Sequence, residues 1–288
     1  MQKVWTIKEV GDWSKRFLEG KSESHRLDSD LLLADALNCS RLELYCNFDK
    51  PVSSVEREKL KSSLQKRAQG IPVAYILGEK EFFGYRFSVN PKVLIPRPET
   101  EHLVEESIAV LKRIGDGENR VLDVGTGSGC IAIAIKKTLP NCIVEGVDVS
   151  EEALSIAIEN SKKLDAEVKF NRANAFSINA GAQYDMICTN PPYVSRKAVS
   201  DGSLSKAVAD FEPELALFAE DDGLKFYIEF ARNYKRLLKP GGFLLAEIGF
   251  DQADEVKSIF ESQGWSDIRM VADYSGHERV IVVKNPVN

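Results

Sequence analysis

A chain of 288 residues with 43% hydrophobic content has room for one large or two ordinary soluble domains. Its formal charge of −6 argues against a protein built to live on nucleic acid, and neither portion is basic: 14 basic against 13 acidic side chains up to Glu81, 24 against 31 beyond it. Five cysteines in no close-spaced pair (Cys39, Cys46, Cys130, Cys142, Cys188) and three scattered histidines speak against a disulfide framework, a zinc site or a His-based triad.

The start, Met1-Gln2-Lys3-Val4-Trp5, does not read as a signal peptide, and no apolar run approaches the ~18 residues of a membrane span. A cytoplasmic protein with buried thiols, no metal and no membrane partner is expected. From Thr6 to about Gly70 the pattern is helical, with capping-box spacings at Thr6 and Glu9, Ser40 and Glu43, Ser53 and Glu56. These predict a small bundle in which Leu27, Leu31, Ala34 and Leu37 share one helical face. Lys59, Lys61, Lys66 and Arg67 form either a solvated face or a docking surface for an acidic partner.

Gly70-Ile71-Pro72 and Gly78 break the helices, and Phe82 to Val89 alternates around Gly84, which predicts a β-hairpin between two domains. In Val93-Leu94-Ile95-Pro96-Arg97-Pro98-Glu99-Thr100-Glu101 the prolines force an extended path. Arg97 is thereby presented rigidly, unless the stretch is a plain linker. Thr100 is expected to cap a helix through Leu103, Val104, Ile108 and Leu111.

After Gly115-Asp116-Gly117 strands and helices alternate. Val121–Val124, Ile143–Asp148, Val168–Phe170 and the run ending at Asn190 read as strands, with a helix from Cys130 to Lys137 and another behind Ser150. A helix through Leu224, Tyr227, Ile228, Ala231 and Leu238 should stop at Lys239-Pro240-Gly241-Gly242, ahead of a strand from Phe243 to Ile248. A helix over Ala253–Ser262 and strands near Ile268–Val271 and Arg279–Val283 follow, the last pair close enough for a hairpin. The expected class is α/β, a doubly wound and mostly parallel sheet with an antiparallel last strand. The expected domains are 1–80 (helical), 81–97 (hairpin and linker) and 98–288 (α/β).

Asp123-Val124-Gly125-Thr126-Gly127-Ser128-Gly129 lies between the first strand of the α/β domain and its helix. Glycines there let backbone approach a ligand, and the helix N-terminus favours a negative group. The spacing departs from Gly-x-Gly-x-x-Gly, which cradles a pyrophosphate, and suits a lone carboxylate such as that of S-adenosylmethionine. The alternative is simply a tight turn. Asp148, ~20 residues on, can accept from ribose hydroxyls or help cap a helix. Asn174 and Ala175 follow the third strand, where an adenine edge would lie.

Asn190-Pro191-Pro192-Tyr193 carries the chemistry. Two prolines cannot continue a ladder, so the strand ends at Asn190. An amide side chain, a Pro191 carbonyl with no ladder partner and an aromatic ring then stand at a strand's carboxyl end. Such a turn suits a planar nitrogen: Asn190 Oδ1 and the Pro191 carbonyl each accept one N–H, Tyr193 packs on the plane, and Pro192 keeps the turn stiff. The exocyclic amine of a flipped adenine is one candidate occupant and a side-chain amide the other. A dinucleotide-dependent oxidoreductase has the wrong glycine spacing, and a binding module leaves this turn unexplained.

The glycine turn, Asn190–Tyr193, Ile95-Pro-Arg-Pro-Glu-Thr-Glu101 and Phe211-Glu-Pro-Glu-Leu-Ala-Leu217 together resemble the peptide chain release factor glutamine methyltransferases over nearly the whole chain. The resemblance implies a class I methyltransferase domain with a helical N-terminal domain that helps hold the substrate. It implies methylation of the glutamine amide in the Gly-Gly-Gln loop of bacterial class 1 release factors, with S-adenosyl-L-methionine converted to S-adenosyl-L-homocysteine. Gly125, Thr126, Gly127, Ser128, Gly129, Asp148, Asn174, Ala175 and Asn190 are then the cofactor residues; Asn190, Pro191, Pro192 and Tyr193 are catalytic, and with Arg97 they bind substrate. A monomer with no direct nucleic-acid partner is expected. A ribosomal-protein glutamine and adenine-N6 are the alternative targets. Asn174-Ala175 departs from the acidic-aromatic pair common in the family, so adenine packing there should be weaker or supplied by another side chain.

Overall fold

The computed structural model describes residues 4–115, 117–178, 183–200 and 205–287. Met1, Gln2 and Lys3 of the start and Asp116 of the glycine break lie outside the described residues. The chain divides into two units, Met1–Glu79 with Lys206–Phe211, and Lys80–Ser205 with Glu212–Asn288.

In the first unit the helices are α1 (Ile7–Leu18), α2 (His25–Ala36), α3 (Arg41–Cys46), α4 (Ser54–Ala68) and α5 (Val73–Leu77). Capping boxes form at Thr6, Ser40 and Ser53, because each needs only a hydroxyl and a carboxylate three residues apart. Leu18, Leu32, Leu33, Leu60 and Leu64 fill the core. The face expected for α2 is corrected in part: Ala34 is buried and Leu37 packs against the core as expected, but Ser29, Leu32, Leu33 and Ala36 are buried too while Leu27 is exposed. Flanking that stripe, Asp28 and Asp30 are also buried, and each has a cation: Arg67 Nε donates to Asp28 at 2.6 Å, and Lys15 Nζ lies 3.0 Å from Asp30. Arg67 also donates to the Gly70 and Ile71 carbonyls, so it is a structural residue and no part of a solvated face. Of the cysteines, Cys46 is exposed and Cys39 half-buried, contrary to expectation; the other three are buried thiols.

The second unit opens with the hairpin β1 (Glu79–Phe82) and β2 (Tyr85–Ser88), followed by α6 (Thr100–Ile114). Thr100 does not cap α6. The chain already turns at Arg97, whose carbonyl accepts from Thr100 N, so Glu99 is the cap residue and Thr100 is the first helical residue. Then come β3 (Arg120–Val124), α7 (Cys130–Thr138), β4 (Ile143–Asp148), α8 (Glu151–Lys163), β5 (Lys169–Arg172) and β6 (Tyr184–Thr189). The short helix α9 (Lys197–Ser200) comes next; α10 (Lys206–Phe211) belongs to the first unit, and the second resumes with α11 (Glu214–Leu217), α12 (Lys225–Asn233), β7 (Leu238–Glu247), α13 (Ala253–Ser262), β8 (Ser266–Ala272) and β9 (Glu278–Lys284). Lys239–Gly242 does not stand ahead of β7 as expected but lies within it, where the pairing with β6 slips from Tyr184↔Leu238 to Met186↔Phe243.

The seven-stranded sheet runs β5-β4-β3-β6-β7-β9-β8, parallel except that β9 is antiparallel to both its neighbours, as the hairpin spacing required. Alternate residues of the central strands enter two cores. Val121, Met186 and Leu245 face α6 and α7, and Leu122, Ile187 and Leu244 face α12 and α13. The winding reverses between β3 and β6, so the carboxyl ends of these two strands open the crevice where ligands bind in such sheets. Among the described residues no helix is long and apolar enough to cross a membrane.

Candidate active site

At the carboxyl end of β3 the chain turns through Gly125, Gly127 and Gly129, all at positive φ. Gly125 N and Thr126 N both donate to the Val147 carbonyl of β4, at 2.8 and 3.0 Å, which pins the turn to the neighbouring strand. A Cβ at Gly125 would meet nothing within 4 Å, whereas one at Gly129 would press on Ile133, Ala157 and Phe170 at 3.1–3.2 Å. Gly125 thus leaves room for a ligand, and Gly129 lets α7 pack on α8 and β5.

Beneath the turn Asp123 is fully buried, and Thr126 Oγ1 donates to its Oδ2 at 2.7 Å. Burial pushes this carboxyl up to about 7, against the hydrogen bonds from Thr126 and Ala132. Asp148 Oδ2 accepts from Gly127 N at 2.9 Å and Oδ1 from Ser150 N at 3.0 Å. The same carboxylate therefore braces the glycine turn and the start of α8, with one lone pair on each oxygen to spare.

A cavity of about 540 Å³ lies over these residues. Gly125, Thr126, Gly127, Ser128, Asp148, Asn174, Ala175, Asn190, Pro192 and Arg97 line it, while Gly129, Pro191 and Tyr193 do not. Its size suits a nucleoside-sized ligand. Asn174 Oδ1 accepts from Phe176 N at 2.9 Å, so that oxygen is already engaged in shaping its own loop. The apolar side is supplied instead by Phe176 and Phe226, which line the cavity with ring centroids 4.9 Å apart.

At the carboxyl end of β6, Asn190 Nδ2 donates to Thr100 Oγ1 at 3.1 Å. That bond assigns the nitrogen side of the amide and leaves Oδ1 as acceptor. Among the described residues neither Asn190 Oδ1 nor the Pro191 carbonyl receives a protein donor. Tyr193 is held from two sides: its hydroxyl donates to Glu247 Oε1 at 3.1 Å, and its carbonyl accepts from Gln252 Nε2 at 3.2 Å. Burial and the neighbouring Glu247 raise the tyrosine pKa, which keeps the hydroxyl a donor. Val194 N then donates to the Leu217 carbonyl, tying the turn to α11.

Two family descriptions match the chain, "PrmC N-terminal domain" over residues 9–78 and "Methyltransferase small domain" over residues 103–216. The release factor glutamine methyltransferase of Koribacter versatilis is 40% identical over 98% of this chain and 100% of its own length. That of Salmonella typhimurium is 38% identical over 90% and 92%. The chain belongs to the release factor glutamine methyltransferase family. A methyltransferase from Pyrococcus furiosus, 19% identical, shares the fold with a TM-score of 0.53 over 79% of this chain and 98% of its own.

The two segments that single out the family in the sequence meet in space. Ile95 N donates to Glu212 Oε2 at 3.2 Å and Arg97 Nη2 to Oε1 at 2.5 Å, across more than a hundred residues of chain. The Glu212 side chain is 1% exposed and that of Arg97 31%, so Arg97 lines the cavity while one edge of its guanidinium is committed to Glu212. Sequence reading missed Glu212 as its partner, and also Thr100, Glu247, Gln252 and Gly223. A Cβ at Gly223 would stand 2.3 Å from the Tyr193 carbonyl oxygen. Glu212 and Thr100 carried a signal, their places in the two quoted stretches; Glu247, Gln252 and Gly223 act through contacts with no local spacing.

Proposed function

We propose that this protein methylates the side-chain amide nitrogen of the glutamine in the Gly-Gly-Gln loop of bacterial class 1 release factors, in the cytoplasm and as a monomer. The observation that supports this most is the polarity of Asn190, whose nitrogen is taken by Thr100 and whose oxygen is left as an acceptor beside the Pro191 carbonyl. S-adenosyl-L-methionine supplies an electrophilic methyl group and leaves as S-adenosyl-L-homocysteine. Its carboxylate end suits the turn from Gly125 to Gly129, where Gly125 leaves open space. Asp148 suits the ribose, and the loop of Asn174 and Ala175 with Phe176 and Phe226 the adenine.

An amide nitrogen is a poor nucleophile because its lone pair is shared with its carbonyl. Asn190 Oδ1 and the Pro191 carbonyl accept its two N–H groups, and both bonds strengthen as the nitrogen gains positive charge. The methylated nitrogen, cationic and therefore strongly acidic, then gives up one of its two protons to water, so no dedicated base is required. Fixing the nitrogen this way can supply up to ~7–11 kcal/mol of a barrier. Pro191, Pro192 and the Gly223 and Gln252 contacts to Tyr193 keep the acceptors from reorganising.

The test is incubation with labelled S-adenosyl-L-methionine and release factor, ribosomal protein or DNA, followed by locating the label. Label on the release-factor glutamine is expected; label on DNA adenine or a ribosomal glutamine overturns the substrate. Asn190→Ala should abolish transfer while cofactor affinity stays within about threefold, since the cofactor's main anchors lie elsewhere. Full activity in Asn190→Ala would refute the amide-holding role.

A further inference from the structure

Asn160 lies on the inner face of α8, the helix that starts beside Asp148, and it is fully buried. Among the described residues its hydrogen bonds all run to main chain. Oδ1 accepts from Ser88 N at 2.7 Å, and Nδ2 donates to the Ser88 carbonyl at 3.0 Å and to the Ser128 carbonyl at 2.9 Å. Ser88 closes β2, and Ser128 belongs to the glycine turn ahead of α7. A regular helix would aim Ala132 N at the Ser128 carbonyl, but that N–H donates to Asp123 Oδ2 at 3.3 Å. One side chain thus joins two stretches of backbone that lie 72 and 32 residues from it in the chain.

Beyond Ser88 the chain passes through Pro91, Lys92, Val93 and Leu94, which line one wall of the cavity, to Arg97, which lines it as well. The far end of this segment is held by Glu212, which accepts from Ile95 N and from Arg97. Its near end is held by Asn160. Between them Lys92 Nζ meets Glu152 of α8 at 2.8 Å, but those side chains are 56% and 64% exposed, so that pair contributes little. Ser128 lines the same cavity from the side of the turn.

We propose that Asn160 is a positioning residue that joins the glycine turn and the segment from Asn90 to Arg97 into one piece, so that cofactor held at the turn also fixes that segment. The inference rests on the reading of Gly125–Gly129 as the cofactor turn. Both donors of the amide are used, and an apolar side chain in its place would strand the Ser128 carbonyl in the interior. The consequence is linkage. Opening the chain at Ser88 pulls the two bonds of Nδ2 apart and loosens the turn. A ligand that binds only the ordered turn therefore holds the Ser88 end closed.

The experiment follows amide hydrogen exchange of the full chain, with and without S-adenosyl-L-homocysteine at about 100 times its Kd, in parent and Asn160→Asp. Calorimetric Kd values, kcat and melting curves accompany it. Aspartate keeps the shape and the acceptor for Ser88 N, yet in either charge state offers at most one proton to two carbonyls, so it cuts the bridge. In the parent, ligand should slow exchange at Ser88 N on the order of tenfold, as well as at Gly127 N in the turn. In Asn160→Asp the slowing at Gly127 should remain and that at Ser88 vanish. Kd should weaken by about tenfold, while kcat at saturation falls by less than about threefold, because Asn190 is untouched. A side chain that only supports the fold would lower the melting temperature and leave Kd and the Ser88 response alone, and that result overturns the inference. So does a parent in which Ser88 ignores the ligand, or an Asn160→Asp protein in which Ser88 still responds. If the variant does not fold, the parent's own response at Ser88 decides. Failure of the parent to bind S-adenosyl-L-homocysteine would instead defeat the cofactor reading, whereas binding that slows Gly127 and not Ser88 sinks only the role of Asn160.

Discussion

The glycine turn separates two reasons for a glycine, and alanine substitutions tell them apart. At Gly127 φ is +54° and a new Cβ would find only the Gly125 carbonyl oxygen, 3.9 Å away. The cost there is left-handed strain alone, about 1–2 kcal/mol. At Gly129 the same strain is joined by three side chains at 3.1–3.2 Å. Gly129→Ala should therefore lose more stability than Gly127→Ala in urea titrations, and equal losses would mean that packing at α7 relaxes freely. Gly223 is a third case. Its Cβ would sit on the backbone of Tyr193, 2.3 Å from the carbonyl oxygen, so the catalytic turn itself must shift. Gly223→Ala should cost activity out of proportion to stability, by about 100-fold in kcat if the turn moves near 1 Å. A variant that melts lower yet turns over normally would show that Gly223 yields without disturbing Tyr193.

Among the elements, those legible in the sequence were the ones whose cause is local. The boxes at Thr6, Ser40 and Ser53 need only an i, i+3 pair, and all three form. Ser53→Ala should cost about 1 kcal/mol, read from the urea midpoint. The inward face of α2 was legible only in part: Ala34 is buried and Leu37 packs on the core, but Leu27 is exposed. Leu31-Leu32-Leu33 offers an apolar residue to more than one face, and the choice falls where Asp28 and Asp30 can meet Arg67 and Lys15 on other helices. Asp28 and Arg67 side chains are 9% and 15% exposed, so Arg67→Met strands a buried carboxylate and should cost about 3 kcal/mol, well above the cap. Asp28→Asn with Arg67→Met should recover part of that loss in a double-mutant cycle; strict additivity would show that the pair is not coupled. Thr100 was misread for the same kind of reason. Its spacing before an apolar run fits a cap, but Arg97 and Pro98 turn the chain first, and the hydroxyl is drawn to Asn190.

For the molecule as a whole, the doubly wound, mostly parallel class followed from the alternation of apolar runs and glycine or proline breaks, and the antiparallel β9 from its tight connection, whereas the order of strands and the switch point between β3 and β6 depend on long-range pairing that the sequence reading did not specify. Buried acids did not follow, because nothing near Asp123 or Glu247 in the sequence says how deeply each is covered. Their consequence is a dependence of stability on pH. Folding raises both carboxyls, from 3.8 and 4.5 to about 7 in each case, so between about 4.5 and 7 the folded chain holds protons that the unfolded chain has released. The stabilisation is complete below the unfolded values and is lost as pH rises through about 7. Asp273 works in the opposite sense, held down to about 2 by Arg279 and backbone donors, but its contribution changes only below about 3.8 and leaves this window alone. Melting temperature should therefore decline from pH 4.5 to 7. Asp123→Asn keeps the shape of the side chain and the acceptor that Thr126 uses, yet has no proton to lose, so its decline should be visibly shallower. The same slope in parent and Asp123→Asn would mean that Asp123 is ionised in the folded protein throughout, its burial offset by the bonds from Thr126 and Ala132.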